Sequence, residues 1–449
     1  MSNINSRISS FFASMPNFIS ALLLNLNIFY GLVYGRKYMK YKKLRVLANY
    51  QKFDNTSEVL KIINNAIKTV PYYKQFKYVS TIEEFCSKWS LIDKELVMQD
   101  INQFISTEIN PKDFVKGTTG GTSGKPLQLI IPKNRHVFEL ATMHTMWQTT
   151  GWNYHPRAVI RNHKLQPGKN YFINPITKEY IFDGFRTDDD YYSIIYNTIR
   201  NKKIRFVHAY PSSAYQFCLY IKKKNLDPSI IKAFFSGSEN VFDFQVDLIE
   251  NQLGIRFYNW YGHSEKLVLG GYCKETRNYH IEPTYGFFEL IDEEGKPINK
   301  PGQVGEIVGT TLHNLGMPLI RYRTGDYAEY VGDYCPHCGR HLPIITNITG
   351  RWNGEKIYNR DGTYITTTAL NLHNEIYEVI NGLQYIQNEK GKLEILIIKS
   401  EKYTPKHELA TLEHFKTKLK PDTEISIKYV DKLIKQPNGK FLLLISKIN

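Results

Sequence analysis

The sequence predicts an α/β protein. A large N-terminal body with α/β subdomains and a small β-subdomain is followed by a small α+β C-terminal domain. Three observations predict this. The 449 residues, 42% of them hydrophobic, exceed what one ordinary core organises. From 135 to 350, short apolar runs such as IRFVHAY (204–210), KAFFSG (232–237) and IRFYNWYG (255–262) alternate with helical stretches, the pattern of βα units. After Gly350 the texture shifts to a compact β-α-β-β unit: LEILIIK (393–399), HELATLEHFKTKL (407–419), EISIKYV (424–430) and FLLLISKI (441–448). The expected divisions are 1–50, 51–350 and 351–449.

The N-terminal segment comes first. Residues 11–33 are apolar but broken by Pro16, Asn17, Asn25 and Asn27, and the basic stretch RKYMKYKKLR (36–45) follows. The first 50 residues carry no Asp or Glu. A signal peptide puts its charge first, so the order is wrong for one. No window reaches the roughly 18 uninterrupted apolar residues of a membrane span. Two readings stay open: an interfacial helix whose polybasic flank, within 1–45, touches an inner leaflet, and a helix packed on the main body. Residues 57–77 read as an amphipathic helix through Val59, Leu60, Ile62, Ile63 and Ile67, ending near Pro71. FFELIDEEGKPINKPGQVGEIVGTTL (287–312) reads as strand, turn, loop and strand, a small β-subdomain.

The net charge of +15 fits anionic partners or substrates, but no DNA- or RNA-reading motif accompanies it, and no nucleic-acid partner is expected. Five cysteines are too sparse and odd-numbered for a disulfide framework and point to a reducing, cytoplasmic compartment.

KGTTGGTSGKPLQL (116–129) is the first chemical signal. It is not a Walker A loop. Pro126 follows Gly124-Lys125 where a Ser or Thr must hold magnesium, and Thr119 stands where the first glycine belongs. A strand follows, so no helix N-terminus backs the phosphates. What remains is a hairpin loop, Thr119, Gly120, Gly121, Thr122, Ser123, Gly124 and Lys125, whose N–H groups, hydroxyls and single cation can wrap an anion; a flexible turn is the alternative. YGHSE (261–265) follows an apolar run, so Glu265 falls just past a strand, where α/β folds gather ligands. In RYRTGDYAEY (321–330), Asp326 follows a Thr-Gly turn and suits the two hydroxyls of a ribose; for both stretches an ordinary surface turn is the alternative.

Cys335-Pro336-His337-Cys338 is a C-x-x-C knuckle. With Cys273 and His280 it makes a Cys₃His set, the closed composition of a structural zinc. His263, His337 and His341 are rival fourth ligands. The CPHC sequence also occurs in oxidoreductases, but there it opens a helix.

Taken in order, the loop, YGHSE, RYRTGDYAEY, ITGRW (348–352) and QPNGKFLLLISKI (436–448) resemble the adenylate-forming superfamily of acyl-CoA synthetases. The nearest branch is phenylacetate–CoA ligase-like. Within it, HAYPSS (208–213), FFSGSE (234–239) and the terminal GKFLLLISKI resemble the capsular polysaccharide CapK-like group. The resemblance spans nearly the whole chain. It implies that the large body is an AMP-binding adenylation domain using ATP and Mg²⁺ to convert a carboxylic acid into acyl-AMP. The acyl group then passes to CoA or to a sugar or amine acceptor; a catalytically degenerate scaffold for polysaccharide assembly is the alternative.

By the same resemblance, the 119–125 loop holds the β- and γ-phosphates. Ser238, Glu239, Tyr261 and Gly262 line the adenine pocket, Glu265 holds magnesium, and Asp326 binds the ribose. Arg351 contacts the nucleotide at the hinge, and Lys440, on a mobile C-terminal domain, bridges the carboxylate and α-phosphate. The branch includes zinc-bearing members, which favours the zinc reading of the cysteines. The hinge departs from the family's Gly-Arg-x-Asp-Asp: Asn353 stands at the first aspartate. The acid's own pocket is expected from 140–240, with Trp147, Tyr210 and Phe235 as candidates.

Overall fold

The computed structural model describes residues 15–24, 30–119, 127–350, 356–370, 376, 379–434 and 442–448. The helices used below are α1 (Asn17–Leu24), α2 (Tyr30–Tyr50), α3 (Thr56–Thr69), α4 (Arg135–Trp147), α5 (Asp189–Asn201), α6 (Pro211–Lys223) and α7 (Pro405–Lys418). In α3 the apolar repeat buries Val59, Ile62, Ile63, Ala66 and Ile67. The helix stops at Val70, which is extended before Pro71, because a residue preceding proline disfavours the helical region. The helix thus ends just before Pro71, as its sequence indicates, and residues 71–75 form a 3₁₀ turn.

Strands β1 (Phe114–Thr118) and β2 (Gln128–Pro132) form a separate antiparallel hairpin around the phosphate-type loop. One 12-stranded sheet builds the body. Its first half contains β3 (Arg157–Ile160), β4 (Tyr171–Asn174), β5 (Glu179–Phe182), β6 (Phe206–Ala209), β7 (Ala233–Gly237) and β8 (Arg256–Gly262). Strands β5, β3, β6, β7 and β8 run parallel. Their residues are buried almost throughout, as expected for strands covered on both faces. The second half contains β9 (Leu269–Tyr272), β10 (Tyr279–Ile281), β11 (Gly286–Ile291), β12 (Val304–Thr311), β13 (Tyr322–Gly332) and β14 (Ile344–Thr349), paired antiparallel in the order β11-β12-β13-β14-β10-β9. The hairpin expected over 287–312 is β11–β12.

The C-terminal part has its own core, including Leu383, Tyr385, Ile395, Ile397 and Phe415. It holds the hairpin β15 (Lys356–Tyr358) and β16 (Tyr364–Thr366). Beside it, β17 (Ile380–Glu389), β18 (Lys392–Lys399), β19 (Glu424–Tyr429) and β20 (Leu444–Ser446) form a mixed sheet in the order β19-β18-β17-β20. Strand β17 is not among the elements expected from sequence. Its alternation is broken by the polar Asn381, Gln384 and Gln387, and the two glutamines are buried and hydrogen-bonded to backbone.

Helix α2 packs on α4. Tyr38, Tyr41 and Arg45 are buried, and Arg45 forms an ion pair with Glu282 while donating to the Thr142 carbonyl at 2.7 Å. Part of the basic run thus serves internal packing. Arg36, Lys37, Lys40 and Lys43 face solvent.

Candidate adenylation site

Parallel strands pointing one way bring their C-terminal ends to one edge, and the loops leaving β6, β7 and β8 meet there. They open on a cavity of about 650 Å³. Of the residues expected at the site, Thr119, Ser238, Glu239, Tyr261, Gly262, Glu265 and Asp326 line this cavity together, although they come from stretches far apart in sequence. Gly120, Gly121, Thr122, Ser123, Gly124, Lys125, Arg351 and Lys440 lie outside the described residues. The hinge neighbour Gly350 does line the cavity.

Asp326 is set by its turn. Gly325 takes a φ of 73°, open to glycine at no steric cost, and its N–H donates to Glu306 Oε1 at 3.0 Å. Thr324 Oγ1 accepts from the Asp326 N–H at 3.1 Å. Arg323 holds Glu306 in place at 2.6 Å. The carboxylate so fixed accepts from the Tyr261 hydroxyl at 2.8 Å. Burial, and then the Asp326 charge, push the Tyr261 phenol well above its ordinary pKa, so it remains a donor.

Glu265 is held from both sides. Tyr322 Oη donates to its Oε1 at 3.2 Å, and His263 Nδ1 lies 3.2 Å from its Oε2. The Val268 N–H donates to His263 Nε2 at 3.2 Å, which makes Nε2 the acceptor and Nδ1 the protonated nitrogen facing Glu265. His263, a rival zinc ligand on sequence grounds, is instead the residue that orients Glu265. Sequence reasoning did not pick out Tyr322, although it stands inside the RYRTGD stretch.

Ser238 adopts a φ of 71°, uncommon for a residue with a Cβ and the kind of strain that collects at ligand sites. Arg161 donates to its Oγ at 3.3 Å and to His208 Nε2 at 2.7 Å. Glu239 accepts from the Ser212 N–H at 3.0 Å and from Thr366 Oγ1 of β16 at 2.5 Å, a direct bond between the C-terminal part and the cavity wall. Burial raises the Glu239 pKa despite these donors. A further cavity residue went unnoticed in the sequence: Asn259, two residues before Tyr261 on β8, is buried with its Oδ1 unpartnered among the described residues. Of the residues expected for the acid, Tyr210 lines the cavity, but Trp147 and Phe235 do not. They stack on each other in the core at 4.6 Å and 3°, because a buried parallel strand and the helix above it must fill the layer between them.

Away from the cavity, one ligand atom from each of Cys273, His280, Cys335 and Cys338 lies within 4.8 Å of the others. Cys273 and Cys335 sulfurs are 3.7 Å apart, and Cys338 is 3.9 Å from both ring nitrogens of His280. Tetrahedral zinc with ordinary bond lengths needs about 3.5–3.8 Å between ligand atoms. The set therefore fits the ion once its widest separations close by up to about 1 Å. Gly339, at φ 72°, closes the knuckle, with its N–H on the Cys335 carbonyl at 2.8 Å. Burial and Arg340 push the His280 imidazole down to about 3, leaving it neutral and able to ligate. His337 and His341 are exposed and outside the cluster, and no helix starts at the knuckle, so the oxidoreductase geometry is not formed.

Residues 357–447 match the CapK C-terminal domain family. A phenylacetate-coenzyme A ligase of Thermus thermophilus is 29% identical over 201 residues, which cover 43% of this chain and 44% of that protein. Protein CapK of Staphylococcus aureus is 21% identical over 368 residues, 80% of this chain and 79% of that protein. The chain thus aligns with less than half the length of the Thermus ligase but with most of CapK. Among solved structures, a 2-hydroxyisobutyryl-CoA ligase in complex with 2-HIB-AMP and CoA in the thioesterification state superposes with a TM-score of 0.55 at 16% identity, covering 87% of this chain and 88% of that one. The same ligase in its postadenylation state gives 0.53. At such identity the likeness is one of fold.

Proposed function

We propose that this chain, a homologue of phenylacetate–CoA ligases and CapK with the adenylate-forming ligase fold, activates a carboxylic acid with ATP. The carboxylate oxygen attacks the α-phosphorus, the bond to the β-phosphate oxygen breaks, and acyl-AMP and pyrophosphate result. The acyl group then passes to CoA or to an amine or hydroxyl acceptor. The CapK likeness favours a sugar-bearing acceptor. The observation that carries the reading is the single cavity joining the Tyr261–Asp326 pair to the braced Glu265 beside Thr119, at the C-terminal ends of the parallel strands.

In this reading Asp326 accepts from the ribose hydroxyls, and the Tyr261 hydroxyl fixes its orientation. The unpartnered Asn259 Oδ1 accepts from the adenine amine. The 119–125 loop wraps the β- and γ-phosphates. Glu265 would hold Mg²⁺, which neutralises phosphate charge when bound. Arg351 contacts the nucleotide from the hinge. Attack is anion on anion, so a cation must arrive at the point of bond formation, the role of Lys440 on the C-terminal domain. Closure of that domain couples this arrival to motion, and the Thr366–Glu239 bond is one contact that such motion must break or form.

The test is ATP–pyrophosphate exchange across a panel of acids, with mass spectrometry for acyl-AMP. Lys440→Ala is expected to lower exchange by about 100-fold or more while ATP binding holds. No exchange with any acid would favour the scaffold alternative, and equal loss of binding and exchange would remove the bridging role.

Cys273, His280, Cys335 and Cys338 would hold one structural zinc. About one zinc per chain is expected by elemental analysis, lost together with thermal stability in Cys335→Ser. A metal-free, fully stable native protein would reject the site.

No helix among the described residues is long and apolar enough to cross a membrane. We place the protein in the cytoplasm, in weak contact with the inner leaflet through residues 1–45. Phe18 and Leu22 are 73% and 74% exposed, and Arg36, Lys37, Lys40 and Lys43 face solvent nearby in sequence. Flotation with anionic but not neutral vesicles, abolished by high salt, is the expected result; equal flotation with neutral vesicles would argue against it.

A further inference from the structure

We propose that the acid activated in this cavity carries a hydroxyl group, recognised by Glu139 and Lys266 at the end of the cavity beyond Glu265. This rests on the adenylation reading above. The cavity is lined in chain order by Asn259, Tyr261 and Gly262 of β8, then by Glu265 and Lys266 of the following turn. Strand β8 advances about 3.3 Å per residue from Asn259 to Gly262, and the turn joining it to the antiparallel β9 carries Glu265 and Lys266 past its end. The base belongs at Asn259, where an amide oxygen is buried without a partner. The ribose belongs at the Tyr261–Asp326 pair and the phosphates at Glu265. The wall beyond Glu265, past the end of β8, is left for the acyl chain.

That wall is built rather than incidental. Lys266 takes a φ of 62°, uncommon for a lysine, and its Nζ lies 2.7 Å from Glu139 Oε1 and 2.6 Å from Oε2. The Lys266 carbonyl accepts from Arg135 Nη2 at 2.8 Å, and the Arg135 guanidinium lies 4.0 Å over the ring of Tyr285, which also lines the cavity. Burial acts to raise the Glu139 pKa, but Lys266 and Arg135 outweigh it, and the carboxyl is lowered and ionised.

The Lys266 and Glu139 side chains keep 29% and 26% exposure, and both line the cavity. An unsubstituted alkyl or aryl chain placed there would strip water from two charges and return no hydrogen bond. An ammonium group would satisfy Glu139 but meet Lys266, and a second carboxylate the reverse. A hydroxyl both donates to the carboxylate and accepts from the ammonium. A site holding such groups discriminates strongly against the analogue that lacks the hydroxyl.

The test pairs lactate with propionate, 3-hydroxybutyrate with butyrate, and 4-hydroxyphenylacetate with phenylacetate, read as kcat/KM for pyrophosphate exchange on the full chain. The hydroxy member of at least one pair is expected to win by about tenfold or more. Glu139→Gln and Lys266→Met should each bring that ratio toward one; using both keeps the test alive where one variant folds poorly. Equal use of both members in every pair, or a ratio that survives both substitutions, overturns the proposal. If no acid supports exchange, the adenylation reading fails separately, and calorimetric binding of the same pairs in the presence of AMP decides this inference. Hydroxyl-selective binding lost in Lys266→Met supports it, and its absence overturns it.

Discussion

Glu265→Gln is expected to slow acyl-adenylate formation by about 100- to 1,000-fold while the fold stays intact. The amide matches the carboxylate in shape and can still accept from the Tyr322 hydroxyl, now 3.2 Å from Oε1, so packing has little reason to change. It cannot supply the negative charge that, in the proposed reaction, would hold a hard divalent cation beside the phosphates, nor the charge that draws the His263 Nδ1 proton. Pyrophosphate exchange measured across a magnesium titration checks this. The rate should fall and the magnesium requirement should rise, with an unchanged melting curve. A rate within a few-fold of wild type at ordinary magnesium would remove Glu265 from the machinery.

Arg45→Ala is the substitution expected to cost most in stability, roughly 3–5 kcal/mol. Arg45 and Glu282 are both nearly inaccessible to solvent and form an ion pair, and Arg45 also donates to the Thr142 carbonyl on α4. Removing the arginine leaves a buried carboxylate with no countercharge, which is far more costly than losing an exposed pair. Urea unfolding should show the midpoint shift, and Glu282→Ala should give a loss of similar size. Arg45→Met combined with Glu282→Leu should recover most of it, since an apolar pair of similar volume avoids the desolvation penalty. Single variants as stable as wild type would show that the pair is not buried in solution.

Much of the candidate site was legible in the sequence because its parts are local. A strand that ends in Tyr-Gly, a Thr-Gly-Asp turn and a Cys-x-x-Cys knuckle each need particular residues at adjacent positions, since backbone sterics and turn geometry act over a few residues. The same holds for the α/β alternation and for helix α3, whose apolar spacing and Pro71 set its length to within a few residues. Long-range pairings were not legible. Four histidines were open as the fourth ligand of the proposed metal site, and only the antiparallel pairing of β9, β10 and β14 carries His280 to the cysteines. His263 was left to orient Glu265. Trp147 and Phe235 read as pocket residues from their position but fill the core.

The sequence by itself thus determined the class of fold, the order of the motifs and the Cys335–Cys338 knuckle, because these depend on short-range periodicity and spacing. Only the tertiary structure decided which partners each side chain meets: Tyr322 and His263 for Glu265, Glu282 for Arg45, Glu139 for Lys266. Those encounters depend on the order in which a 12-stranded sheet assembles and which loops its parallel edge collects, and no local rule of the chain encodes that geometry.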